Sequence, residues 1–122
     1  MEFYLADLGI VSNGSIAAAM YPSYPAPDLM RTIETAGAVA VFVEDPKTLK
    51  PLRNAPVKHW ILLTGAAEGA LALEDLRKAG RDALVADPGM FARIRGEVSP
   101  SDTAILYLTS GGYDHTDQNR RW

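Results

Sequence analysis

The sequence contains no cysteine, only two histidines and no long apolar run, and these absences exclude several classes of protein. Without cysteine there are no disulfide bonds and no thiolate metal sites. His59 and His115 are too far apart in the sequence to suggest a metal-binding motif. No segment approaches the ~20 consecutive apolar residues of a membrane-spanning helix, and the first residues lack the basic start of a secretory signal. We therefore expect a cytoplasmic protein with no transmembrane segment and no metal site.

Positive charge is also sparse. The formal net charge is -3, and the lysines and arginines are scattered along the chain. A nucleic-acid interface needs basic side chains that are clustered and can neutralise several phosphates. We therefore do not expect this chain to bind DNA or RNA.

The rest of the composition is that of an ordinary folded domain. Hydrophobic residues make up 48% of the chain and charged residues 22%, which argues against disorder and low complexity. At 122 residues, the chain is long enough for one modest domain and too short for two. Any function must be carried by a single core or shared with a partner.

Four segments have the composition of β-strands. The clearest runs from Ala38 to Val43 and contains no polar residue, a pattern typical of a strand covered on both faces by helices. Proline limits the first segment, because Pro22 and Pro25 cannot donate backbone hydrogen bonds. We predict strands at Ile16–Met20, Val39–Val43, Trp60–Leu63 and Ala104–Leu108.

Helix signals alternate with these strands. One helix opens at Pro27-Asp28 and is closed by Gly37, the usual order of proline inside the start and glycine after the end. Other predicted helices are Phe3–Ser12, a segment beginning at Asp45-Pro46, Leu71–Ala83, and a segment from Asp87-Pro88 through Ile94. This alternation favours an α/β fold, a three-layer and mainly parallel sheet flanked by helices, whose ligands bind beyond the carboxyl ends of the strands.

The last predicted strand leads directly into Thr109, Ser110 and Gly111. Hydroxyl groups and closely approaching backbone N–H groups at such a position can bind a phosphate. Taken alone the pattern is weak, because strand ends followed by serine and glycine are commonly plain turns.

The surrounding residues resemble the AMP-forming acyl-activating enzymes. Ser99–Gly111 looks like the approach to that family's phosphate-binding loop, with a Pro-x-Asp, a buried strand and Tyr-x-Thr-Ser-Gly. Glu2–Gly9 and Ala17–Ser23 are similar to its early helix and its Tyr-Pro-Thr/Ser turn. Val41–Asp45 and Leu73–Arg81 resemble segments of the long-chain fatty-acid-CoA ligase branch. The resemblance covers nearly everything from Glu2 to Gly111.

The resemblance implies a two-step ligase that uses ATP and Mg²⁺. A fatty acid carboxylate attacks the α-phosphate of ATP to give an acyl adenylate and pyrophosphate, and coenzyme A then displaces AMP. The family's Thr/Ser/Gly loop holds the β- and γ-phosphates, so the cofactor-binding residues carried over to this chain are Thr109, Ser110 and Gly111. Residues 1–111 would be a partial AMP-binding domain.

After Gly111 the sequence departs from the family. The family continues with a Thr-Thr-Gly-x-Pro-Lys-Gly pattern, whereas this chain continues with Gly112, Tyr113 and Asp114. The loop lysine, the later adenine-binding and magnesium-binding segments and the catalytic lysine of the C-terminal domain have no counterpart. We therefore expect a truncated ligase with no catalytic residue of its own, inactive alone, and a divergent tail at 112–122 without regular structure.

Two other interpretations remain open. The chain could be one subunit of a split ligase that completes its site with another polypeptide, or a binding module without ATP chemistry. Strand edges and helix faces left uncovered by truncation would also favour self-association.

Other polar residues have simpler explanations. Glu44 and Asp45 resemble a metal or acid-base pair, but Asp45-Pro46 is better explained as a helix cap. Ser110, Asp114 and His115 suggest a catalytic triad, yet a polar terminal segment rarely supplies the rigidity that a triad needs.

Overall fold

The computed structural model describes residues 2–107 of the chain. Five α-helices and three strands occur in this range, in the order α1 (Glu2–Ser12), α2 (Ala26–Thr35), β1 (Ala40–Val43), α3 (Pro46–Leu49), β2 (His59–Leu62), β3 (Leu71–Ala72), α4 (Leu73–Ala86) and α5 (Met90–Glu97). A 3₁₀ turn at Lys50–Leu52 continues α3. None of the described helices is long and apolar enough to cross a membrane.

The three strands form one parallel sheet with β2 in the middle. The register pairs Ala40 with His59, Val43 with Leu62, and Ile61 with Leu71. Trp60, Ile61 and Leu62 of β2 are all buried, as expected for a central parallel strand. The prediction of an α/β fold with a parallel sheet and flanking helices is confirmed.

The main core lies on one face of this sheet. Alternate residues of a strand point to the same face, so Val41 and Val43 of β1 share a face on which Leu62 of β2 also packs. Leu29 and Ile33 of α2 are four residues apart, lie on the same side of the helix, and cover that face. The other members of the cluster are Leu49, Leu52, Ala55 and Trp60.

The helix signals on either side of β1 are confirmed. α2 ends just before Gly37, which has a φ of +61° that favours glycine. Asp45 caps α3, because its Oδ1 accepts a hydrogen bond from the Thr48 backbone N–H at 2.8 Å. Pro46 occupies the first turn, where its missing N–H has no helical partner to lose.

Two of the four predicted strands are much shorter than expected. The segments Ile16–Met20 and Ala104–Leu108 meet only at one parallel bridge, between Ala17 and Ile105; Leu108 lies outside the described residues. Three consecutive alanines in the first segment favour strand structure only weakly. As full strands, these two predictions are wrong over the described residues.

The helix predicted at Leu71–Ala83 also begins later than expected. Leu71 and Ala72 form β3 instead, because their backbone pairs with Ile61 and Leu62 of β2. The helical spacing of the leucines therefore holds only from Leu73 onward, and α4 continues to Ala86.

We predict that Leu62→Ala strongly destabilises the fold. Leu62 has no exposed surface, and truncating a fully buried leucine lowers the free energy of unfolding by about 2–5 kcal/mol. Urea unfolding followed by circular dichroism measures the change. Leu84→Ala is the matched control, because Leu84 is 42% exposed on α4 and should change stability by no more than about 0.5 kcal/mol. Equal losses in both variants would contradict the assigned core.

Candidate functional site

The segment that precedes the predicted phosphate loop begins with a tight turn after α5. The Ser99 backbone N–H donates to Oδ2 of Asp102 at 2.8 Å, and the Asp102 N–H donates to the Ser99 carbonyl at 3.0 Å. The hydroxyl oxygens of Ser99 and Ser101 lie 2.8 Å apart. The Asp102 carboxylate of the Pro-x-Asp segment thus closes this turn. The turn directly precedes residues 103–107.

Those residues pair with the segment that follows α1. The Ala17 N–H donates to the Ala104 carbonyl at 2.9 Å, and the Leu106 N–H donates to the Ala17 carbonyl at 2.8 Å. Ala17 is only 3% exposed, so both bonds are formed away from water. The pairing is parallel, so the segment that ends at Tyr107 runs in the same direction as the segment around Ala17.

Thr109, Ser110 and Gly111 lie outside the described residues. The structure therefore gives the approach to the predicted loop, and the three residues themselves stay a prediction. The suggested triad of Ser110, Asp114 and His115 and the tail prediction for residues 112–122 also fall outside this range.

A turn at Asn13 and Gly14 brings Ala17 to its place beside residue 105. Gly14 has a φ of +79°, and the side-chain Oδ1 of Asn13 accepts a hydrogen bond from the Ser15 N–H at 3.0 Å. A Cβ at Gly14 would lie 3.5 Å from Cγ2 of Val98, so the end of α1 lies against the chain that leaves α5. The predicted end of this helix at Ser12 is confirmed.

The carboxyl ends of β1 and β2 are joined by Thr64. Its backbone N–H and its hydroxyl both donate to the Glu44 carbonyl, at 2.9 Å and 2.8 Å. Beside it, Asp45 accepts from the Thr48 backbone N–H, and this bond, together with one from the Thr48 side chain, lowers the pKa of Asp45 below its ordinary value. The Asp45 carboxylate and the Glu44 backbone carbonyl are therefore engaged in structural hydrogen bonds.

Carboxylates and histidines do not cluster elsewhere in the part of the chain that is described. Residues 2–107 contain no group of three or more such side chains that could hold a metal ion. His59 is exposed at the start of β2, beside an open cleft of about 260 Å³ at the amino ends of β2 and β3. Ligands of parallel sheets bind at the opposite, carboxyl ends.

The pairing of Ala17 with Ile105 is the feature of the site that the sequence did not indicate. The two residues lie almost ninety positions apart in the chain, and no local pattern indicates such a partner. Comparisons of the chain with protein-family models, with curated proteins and with solved structures found no match.

We predict that Asp102→Ala loosens the pairing of residues 104–106. Removing the carboxylate leaves the Ser99 N–H without its acceptor, so the turn that positions the paired segment weakens. Amide hydrogen exchange measured by NMR should become faster at Ala17 and Leu106 and stay unchanged at Leu62. Asp102→Asn keeps an acceptor oxygen and should exchange more slowly than Asp102→Ala. Unchanged exchange at Leu106 in Asp102→Ala would refute this role.

We also predict that Asp45 stabilises the fold in a pH-dependent way. A carboxylate whose pKa is lowered by folding stabilises the protein above its unfolded pKa, and this stabilisation is lost as the pH falls through its folded pKa. Melting temperatures of the native chain and Asp45→Asn, measured from neutral to strongly acidic pH, should differ most near neutrality and converge in acid. Asparagine also caps helices, so the variant should fold. A constant difference would contradict the prediction.

Proposed function

We propose that this chain is part of an AMP-forming acyl-activating ligase of the long-chain fatty-acid-CoA type, in which Thr109, Ser110 and Gly111 bind phosphates of ATP. The observation that carries the proposal is the parallel pairing of Ala17 with Ile105. The pairing joins the two segments Ala17–Ser23 and Ser99–Gly111, each of which resembles the family separately. The residues that precede the loop thus take part in parallel β pairing. Phosphates commonly bind where such strands end.

The chemistry assigned to the loop is electrostatic positioning. Two hydroxyl groups, from Thr109 and Ser110, can donate to phosphate oxygens, and Gly111 allows its backbone N–H to approach closely because it has no Cβ. Such donors hold pyrophosphate as a leaving group while the fatty acid carboxylate attacks the α-phosphate. In the second step, the thiol of coenzyme A attacks the acyl carbonyl and AMP leaves.

Magnesium in this proposal is held largely by ATP itself. Mg²⁺ prefers oxygen ligands and is often bound through substrate phosphates with only one or two carboxylates. The hydroxyl groups of Thr109 and Ser110 suit the phosphates of that complex.

These 122 residues are not expected to catalyse the reaction alone. No lysine follows Gly111 in this sequence, whereas the family pattern supplies one within the loop. A phosphate site without that cation loses attraction for the triphosphate and for the charge that develops during the reaction. The missing groups would have to come from outside these 122 residues.

A binding module without ATP chemistry is the second candidate function. The observation that favours it is the exposed apolar surface of α1, where Tyr4 is 70% and Leu8 is 61% exposed. Exposed apolar surface of this kind often marks an interaction site. The two functions differ in whether Thr109 and Ser110 matter to any activity.

We predict that the isolated chain does not catalyse fatty-acid-dependent exchange of pyrophosphate into ATP. Its affinity for ATP should be on the order of millimolar or weaker. A hybrid tests the loop directly: residues 1–111 are joined to the remainder of an active long-chain ligase, beginning at that enzyme's Thr-Thr-Gly-x-Pro-Lys continuation. The hybrid should catalyse exchange, and Thr109→Ala or Ser110→Ala should lower its rate about 10²- to 10³-fold.

Thr35→Ala is the matched control in this hybrid, because Thr35 is exposed at the end of α2 and makes no hydrogen bond with the loop approach. Its rate should be unchanged. A folded hybrid without exchange, or one insensitive to Thr109→Ala and Ser110→Ala, would refute the ligase proposal. Acid-dependent exchange by the isolated chain would instead show that the missing groups are not needed.

A further inference from the structure

The turn that ends α1 contains the only Asn-Gly pair of the sequence. The helix ends at Ser12, and Asn13 and Gly14, which form the turn after it, are both exposed to solvent. Asparagine is one of the chemically labile residues. Because glycine has no Cβ, no side chain at position 14 shields the backbone nitrogen there from the side-chain amide of Asn13.

A hydrogen bond holds the Asn13 side chain against this backbone. Its Oδ1 accepts from the Ser15 N–H at 3.0 Å, as asparagine side chains often do with the backbone two residues on. This bond folds the side chain back along Gly14. It also draws electron density from the side-chain carbonyl, which makes Cγ of Asn13 easier to attack.

One backbone hydrogen bond opposes the attack. The Gly14 N–H donates to the Val11 carbonyl at 3.2 Å, and a nitrogen held in this way is a weaker nucleophile. The bond lies at the end of α1, and helix ends fray. The Gly14 nitrogen therefore becomes available without unfolding of the sheet or its core.

We propose that Asn13 is a site of deamidation in the folded chain, and that the modification loosens the pairing of Ala17 with Ile105. The Gly14 nitrogen loses its proton and attacks Cγ of Asn13, a C–N bond forms between them, and the side-chain amide leaves as ammonia. The product is a succinimide ring. Water then opens the ring at Cγ to give aspartate, or at the main-chain carbonyl carbon to give isoaspartate.

Both products weaken the end of α1. The new carboxylate lies where the helix carries partial negative charge, and the last turn of α1 contains no basic residue. Isoaspartate also adds a methylene to the main chain between residues 13 and 14. Gly14 lies against Val98, whose Cγ2 is 3.5 Å from the position that a Cβ at Gly14 would take, so the lengthened chain shifts this contact.

The shift reaches the paired segment because Ala17 follows closely in the chain. Its N–H donates to the Ala104 carbonyl, and its carbonyl accepts from the Leu106 N–H. These two bonds are the ones that we expect the modification to weaken. The inference does not depend on the ligase proposal.

Peptide mapping by mass spectrometry tests the reaction. The full chain is kept folded in warm, mildly alkaline buffer and then digested with trypsin. The peptide of residues 1–31 contains Asn13 as its only asparagine, and it should gain the mass of oxygen in place of NH and contain isoaspartate. Asn54 is the internal control: it is also exposed but precedes Ala55, whose Cβ hinders attack, and it should stay largely unconverted.

Two variants separate the reaction from its structural effect. Asn13→Gln keeps an uncharged amide but would have to close a larger ring, so it should lose the conversion. Asn13→Asp carries the charge without the added methylene. In hydrogen exchange measured by NMR, the purified isoaspartate form should lose protection at Ala17 and Leu106 and keep it at Leu62, and Asn13→Asp should lose less. Asn13→Gln kept under the same conditions should lose none.

Urea should speed the conversion of Asn13, because it releases the Gly14 N–H from the Val11 carbonyl. Conversion that occurs only in urea would overturn the proposal of a site in the folded chain. Conversion of Asn13 no faster than that of Asn54 would also overturn it. Full protection at Ala17 and Leu106 in the isoaspartate form would overturn the proposed effect on the pairing.

Discussion

The central position of β2 is the constraint on which the rest of the described fold depends. β2 is paired in parallel on both sides, and Trp60 and Leu62 fill the core that α2 and α3 cover. Parallel neighbours cannot be joined by a tight hairpin, so the chain must cross over between them. The core, the crossovers and the positions of both strand ends therefore follow from burying this one strand.

The carboxyl ends of β1 and β2 are held together by local hydrogen bonds. Thr64 donates twice to the backbone carbonyl of Glu44, and Asp45 caps α3. The parallel contact between Ala17 and Ile105 is preceded by a turn that Asp102 closes, because its carboxylate accepts from the Ser99 N–H. At both places a carboxylate that accepts a backbone N–H fixes the chain next to a parallel pairing.

The sequence predicted the parts of the fold that local patterns determine. The apolar run before Val43 and the caps at Asp45 and Gly37 correspond to elements in the structure. The residues near Ala17 and Ile105 were predicted as full strands but form one bridge, because strand length depends on distant partners. The same reason explains β3, whose backbone pairs with β2. For the candidate site, the structure describes the residues up to Tyr107. Among them, Asp102 of the Pro-x-Asp segment closes a turn by accepting from the Ser99 N–H.

The proposed phosphate site depends on charge as well as on hydrogen-bond donors. After Gly111 the chain continues with Gly112 and Tyr113, and not with the Thr-Thr-Gly-x-Pro-Lys pattern of the family that it resembles. Thr109 and Ser110 could supply hydroxyl donors, but phosphate binding depends on positioned positive charge too. Activity of the proposed ligase would therefore require a cation from outside these 122 residues.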